Sequence, residues 1–266
     1  MKLFLRIVVM VAILSTNAWA RMAEMMPVKA GTVEKYTSDN GKYEVSIMYG
    51  SNNFMSWSLA ENGVQLWSRP LMCEPSPAAV SDNGETITLP IWGWRDECAS
   101  KGVAVYNKKG ELVKEVLFRS EPPEEGSLLP AEEALLWVRQ TKISPDGKYF
   151  AIGYNGSQAA GVTLYNAATG DAVWDKKIGL PEMVQIKVAR EGKYVLVATH
   201  EDKEGWMEFL LLDSAGAVLW SKKIGNNFSW EVKHYIKFKD DGSGFEIYDL
   251  KSEKYISEAM PKAAKR

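Results

Sequence analysis

The chain is short of the residues from which most catalytic centres are built, with two histidines and two cysteines among 266 residues. A zinc ion needs three or four ligands, and His200 and His234 stand apart from each other and from both cysteines, so no metal site is expected. No Gly-x-Ser-x-Gly segment occurs, which removes the nucleophile elbow of the serine hydrolases. His200 is read as following a strand at the acidic stretch Glu201-Asp202-Lys203-Glu204-Gly205, and His234 as preceding Tyr235 at a strand entrance; both are expected to be loop or surface residues. Acidic turns such as Asp240-Asp241-Gly242 lack the ligand spacing of an EF-hand loop and serve as hairpin chemistry. No catalytic residue and no cofactor is therefore assigned.

Clustered positive charge is lacking too. Lysines and arginines are interspersed with acids along the whole chain, and a nucleic-acid partner would need them gathered so that binding releases counterions. The pairs Lys176-Lys177 and Lys222-Lys223 recur at equivalent places and read as solvated edge residues. Long apolar runs are missing except at the start, where Lys2 and Arg6 precede the unbroken run Ile7 to Leu14 and the small-residue stretch Ala18-Trp19-Ala20. That run is far short of the ~20 residues of a spanning helix. It reads as a signal peptide over residues 1–20, cleaved after Ala20, with no transmembrane segment afterwards and no cysteine at the cut to carry a lipid. The expected location is the periplasm or the extracellular medium. Loss of Lys2 and Arg6 would leave 30 basic residues against 34 acidic ones. An oxidising compartment would let Cys73 and Cys98 pair, and closing that loop would contribute about 3.5 kcal/mol on the chain-entropy account.

What is abundant is a recurring phrase. Ser144-Pro145-Asp146-Gly147-Lys148-Tyr149 leads to Gly161-Val162-Thr163-Leu164-Tyr165-Asn166, then Thr169-Gly170 and Ala172-Val173-Trp174-Asp175-Lys176-Lys177-Ile178-Gly179. Its echo is Arg190-Glu191-Gly192-Lys193-Tyr194, Phe209-Leu210-Leu211-Leu212-Asp213, Ala215-Gly216 and Ala217-Val218-Leu219-Trp220-Ser221-Lys222-Lys223-Ile224-Gly225. Earlier copies open at Ser38-Asp39-Asn40-Gly41 and Ser81-Asp82-Asn83-Gly84, and a later one at Asp240-Asp241-Gly242. Alternating apolar residues mark half-buried strands, and the Asp-Gly, Asn-Gly and Lys-Gly pairs supply the positive φ of tight hairpins. Strand-built self-similarity at a period of roughly 40 to 50 residues is the signature of propeller blades.

The fold class is accordingly all-β. Residues 21–266 form one β-propeller domain of four and a half to five four-stranded blades, with repeats near 32–71, 77–118, 137–179, 183–225 and 230–258 and an insertion at 119–136 that contains Glu121-Pro122-Pro123-Glu124-Glu125-Gly126. The thin fifth repeat is either completed by residues 21 to 31, pairing the two chain ends, or left with an open edge that needs a partner. Trp67, Trp174 and Trp220, each ending an outer strand, are expected to fill the gaps between neighbouring blades.

The segment Leu164 to Trp174, with its Thr-Gly turn and closing Trp, resembles the repeat of pyrroloquinoline-quinone-like propellers, and Ser144-Pro145-Asp146-Gly147-Lys148-Tyr149 is similar to WD40-type repeats. The resemblance spans most of residues 32 to 250 and concerns blade construction. The quinone enzymes pair their eight-bladed rings with a calcium ion and a cofactor, whereas this chain has about five blades, no adjacent cysteine pair and no haem-attachment motif.

Rigid blades that display loops suit recognition. The loop that breaks the second repeat, Trp92-Gly93-Trp94-Arg95-Asp96-Glu97-Cys98, holds Trp92, Trp94, Arg95 and Asp96, residue types that dominate interface hot spots, beside the expected disulfide. Packing of both tryptophans against the insertion is the alternative role. The expected function is an exported, non-catalytic protein-binding or scaffolding module whose partner is another protein in the envelope or outside the cell. The rival reading is a glycan hydrolase, which would need paired carboxylates at the central channel.

Overall fold

The computed structural model describes residues 30–50, 55–71, 77–92, 100–117, 137–155, 160–179, 182–201, 205–225, 228–229, 232 and 234–261. They form nineteen strands and a single 3-10 turn at Arg190–Gly192.

Sheet 1 contains β1 (Val33–Thr37), β2 (Tyr43–Tyr49), β3 (Met55–Glu61) and β4 (Val64–Leu71). Sheet 2 contains β5 (Ala79–Val80), β6 (Ile87–Trp92), β7 (Ser100–Tyr106) and β8 (Leu112–Leu117). Sheet 3 contains β9 (Trp137–Ile143), β10 (Tyr149–Asn155), β11 (Ala160–Asn166) and β12 (Ala172–Gly179). Sheet 4 contains β13 (Glu182–Val188), β14 (Tyr194–Glu201), β15 (Trp206–Asp213) and β16 (Val218–Gly225). Sheet 5 contains β17 (Ile236–Phe238), β18 (Gly244–Asp249) and β19 (Lys254–Ala259). Every sheet is an antiparallel meander in chain order, and the fifth has three strands among the described residues.

One turn chemistry starts four of the blades and is varied in the fourth. Ser38, Ser81 and Ser144 each accept, at Oγ, the backbone N–H of the residue five positions on, at 3.0 Å, while their carbonyls take the N–H of Gly41, Gly84 and Gly147. Lys239 and Gly242 repeat the backbone part of this arrangement in sheet 5. In sheet 4 Ala189 replaces the serine, and Glu191 takes a positive φ of 59°. The glycine also clears space between sheets: Gly84 has φ +73°, and a Cβ there would stand 2.6 Å from the Tyr43 ring of sheet 1.

Each sheet buries its faces against its neighbours, so the core is divided among the joints. Sheet 1 packs Val45, Ile47, Trp57 and Leu59 on Ile87 and Leu89 of sheet 2. Val103 and Val105 of sheet 2 meet Phe150 and Ile152 of sheet 3. Val162 and Leu164 pack on Ile186, Val195 and Val197, and the other face of sheet 4, with Leu196, Phe209 and Leu211, packs on Ile236, Phe245 and Ile247 of sheet 5. A strand buried on both faces reads as an apolar run, which explains why Val195 to Ala198 does not alternate.

The outer strands carry one device four times. In each four-stranded sheet the ladder between the third and fourth strands slips by a residue near the turn, between Leu59/Ala60, Val105/Tyr106, Leu164/Tyr165 and Leu211/Leu212. The skipped residues are Leu66, Val113, Val173 and Leu219, all exposed, and the residue after each skip faces the next blade. The bulge thus re-aims the tryptophans and also blunts an edge that could otherwise template another strand. Trp67 donates through Nε1 to the Lys108 carbonyl of sheet 2 at 2.8 Å. Trp174 covers Gly216 of sheet 4, where a Cβ would stand 3.0 Å from its ring, and Trp220 meets Phe245 of sheet 5 edge to face at 4.9 Å. The expected role of this series as mortar between blades holds. Proline placement follows the same logic: Pro70 lies on the edge strand β4, and Pro90 lies beyond the end of β5, a strand of two residues, so neither removes a needed donor.

The structure refines the account of the chain ends. Gly31 donates to the Tyr49 carbonyl and Tyr49 to that of Thr32, so residues 31–32 belong to sheet 1 rather than to the fifth blade. Residues 1–29, which include the expected signal peptide, and the whole of the insertion at 119–136 lie outside the described residues.

Candidate functional site

The loop singled out in the sequence is visible only at its threshold. Trp92 is the last residue of β6, paired with Ser100, and the ladder slips between Ile91 and Trp92. Trp94, Arg95 and Asp96 lie outside the described residues, as do Cys73 and Cys98. His200 is a correction. It lies within β14 rather than after it, is buried, and stacks on Phe228 with ring centroids 4.0 Å apart. Its place in the ladder opposite Met207 turns it into the joint between sheets 4 and 5, where an aromatic contact serves better than solvent. His234 is exposed, as expected, and its carbonyl accepts from Tyr255 Oη.

Opposite the Trp92 end, where the first turns of the blades gather, four charged side chains from four sheets come together. Asp39 and Asp82 sit in the first turns of sheets 1 and 2, and Lys142 and Lys187 stand near the ends of the inner strands β9 and β13. Lys187 Nζ donates to Asp39 Oδ1 in an ion pair that bridges 148 residues of sequence and joins sheet 4 directly to sheet 1. Asp82 Oδ1 accepts the backbone N–H of Asn40 at 2.9 Å, and the Asn40 side chain donates to the Asp82 carbonyl at 3.0 Å. Burial pushes the Asp82 carboxyl above its ordinary value, against the pull of the Asn40 N–H, and the charge of Asp39 adds to the rise. Burial likewise lowers the Lys142 ammonium, helped by Lys187 and opposed by Asp39. Ionisable groups shifted in opposite senses by burial and by one another's charge, gathered in one place, mark a candidate functional site.

The sequence held a faint signal of this cluster that went unread. Counting back five residues from the glycine of each first turn gives Tyr36, Ala79, Lys142, Lys187 and Lys237, so the last three blades share a lysine at one position.

A second charged group, at the joint of sheets 1 and 2, is structural. Glu61 accepts from Tyr43 Oη at 2.8 Å, pairs with Lys42 at 2.9 Å and reaches Lys108 of sheet 2 at 3.2 Å. These contacts, the one from Lys42 foremost, lower its carboxyl from 4.5 to about 2. A carboxylate with a depressed folded value stabilises fully above its unfolded value and loses that contribution as pH falls through the folded one. We therefore expect the joint between sheets 1 and 2 to loosen between pH 4.5 and about 2, read as a change in the fluorescence of Trp57 and Trp67. Glu61→Gln is expected to remove that step; an unchanged titration in the variant would assign the transition elsewhere.

No family model and no curated protein matches the chain. Among solved structures it is similar to Kuenenia stuttgartiensis hydrazine synthase, at 14% identity and a TM-score of 0.55 over 85% of this chain and 64% of that one. It is also similar to the Dos1 propeller, at 11% identity and a TM-score of 0.51 over 86% of this chain and 60% of that one. The chain thus spans less than two thirds of either. At these identities the shared property is the architecture, and with five successive antiparallel sheets it defines the chain as a β-propeller protein.

Proposed function

We propose that this protein is an exported, non-catalytic propeller that holds another protein, in the envelope or outside the cell, through the loop containing Trp92, Trp94, Arg95 and Asp96. The observation that carries the reading is the slip in register between Ile91 and Trp92, beside the last pair of that ladder, Trp92 with Ser100. Bulges of this kind are over-represented beside functional sites. The contrast with the other tryptophans adds support, since Trp67, Trp174 and Trp220 are used at the joints between blades. A Cys73–Cys98 disulfide would restrain the loop and lower the entropy lost on binding.

Glycan hydrolysis is less well supported. Asp39 and Asp82 do approach each other at the mouth, but Asp39 is held by Lys187 and Asp82 by Asn40, leaving neither poised as acid or base. The binding reading is tested with the double variant Trp92→Ala/Trp94→Ala and wild-type protein as baits in an envelope extract. We expect a partner retained by wild type to be lost by the variant at an unchanged melting temperature. A lowered melting temperature would instead assign both residues to packing. Mass measurement of the exported chain should give Arg21 as its first residue, and a chain retaining residues 1–20 would end the export reading.

A further inference from the structure

We propose that the mouth formed by the first turns binds a small oxyanion, a carboxylate or a phosphate, held between Lys142 and Lys187. The argument begins with the strand ladder. In sheet 5 the equivalent lysine is fully used within its own blade: Lys237 is paired with Glu246 directly across the strands at 2.8 Å and lies 4.1 Å over the Tyr255 ring. Lys142 and Lys187 have no such neighbour. Their partners across the ladder are Ala151 and Leu196; Lys187 reaches Asp39 at the mouth instead, and the charges of Lys187 and Asp39 both act on the Lys142 ammonium.

The four charges there are unequally matched. Lys187 takes Asp39, and Asp82 is engaged by the backbone of the Asn40 turn, which leaves Lys142 as the cation in the cluster with neither an ion pair nor a hydrogen bond among the described residues. Two lysines within electrostatic reach of each other, one of them partly buried, repel, and an anion placed between them relieves that repulsion while supplying the absent acceptor. The frame is rigid, because the strands that carry the lysines are tied to one another: Gln140 of β9 accepts the Ile186 N–H of β13 at 3.1 Å. On that fixed frame Lys142 is the partly desolvated cation with no ion pair among the described residues, and an anion drawn to it meets Lys187 as the second cation in competition with Asp39.

The test is calorimetric titration of the full chain with inorganic phosphate at constant ionic strength. One saturable site per chain is expected. Lys142→Gln should weaken it about tenfold or more, the loss of one charge-assisted contact, while Lys142→Arg retains it. Asp39→Asn, which removes the competing carboxylate, should tighten it about fivefold. A footprint on the unaltered protein covers the case in which a variant misfolds: phosphate should slow acylation of Lys142 and Lys187 but not of Lys237. Absence of saturable binding, a Lys142→Gln variant that binds like wild type, or equal acylation of Lys142 with and without phosphate would each overturn the proposal.

Discussion

Replacing Trp57 by alanine is expected to destabilise the protein by about 3–5 kcal/mol, the range for deleting a large buried aromatic side chain. Trp57 is 3% exposed, meets Trp67 edge to face at 4.6 Å and lies 4.8 Å from the Tyr106 ring of sheet 2. Its removal opens a cavity beneath the residue that fastens sheet 1 to sheet 2, so the loss combines transfer energy with contacts that a β-ladder holding Ile47 and Arg69 on either side cannot close up to replace. Denaturant unfolding followed by circular dichroism measures the effect, and Trp57→Phe should recover much of it. A loss below about 1 kcal/mol would mean that this joint collapses freely around the gap.

The second large effect is expected from Gln185→Ala. The inner strand of a blade is an edge strand, and its outward backbone N–H groups need acceptors that no further strand supplies. Gln185 solves this for the fifth blade: its Oε1 accepts from Tyr235 N at 2.7 Å and from Ile236 N at 3.0 Å, in buried surroundings. Truncation orphans both donors at a cost of about 2–4 kcal/mol. Because the damage falls on one joint, hydrogen exchange at Tyr235 and Ile236 should accelerate far more than in sheets 1 to 3. Uniform acceleration through all five sheets would show that the blades unfold as one unit and that Gln185 has no local role.

How far the sequence could be read depended on the range of the interaction involved. The strands Tyr43–Tyr49 and Trp137–Ile143 fall inside the repeats read near 32–71 and 137–179, because alternation and the flanking Ser-x-x-Gly turns act within a few positions. Trp67, Trp174 and Trp220 were legible as mortar because one repeat unit implies one joint. His200 was misplaced because its neighbours in sequence are acidic, whereas the residue that decides its setting, Phe228, comes from the connection between β16 and β17. Gln140 and Gln185 share one repeat position, seven residues before the turn glycine, but their role was not legible, since a glutamine that caps a neighbouring strand looks like any polar residue until the strands are side by side.

By itself the sequence determined the all-β class, the repeat and the turns that join its strands, since these follow from local φ preferences and side-chain alternation. Only the tertiary structure decided which charges meet. Asp39, Asp82, Lys142 and Lys187 belong to four different sheets; their repeat positions mark the two aspartates as equivalents and the two lysines as equivalents, but do not show that the four meet. Their meeting depends on how successive twisted sheets pack face to face and gather their first turns at one mouth, a property of the whole array that no single blade encodes.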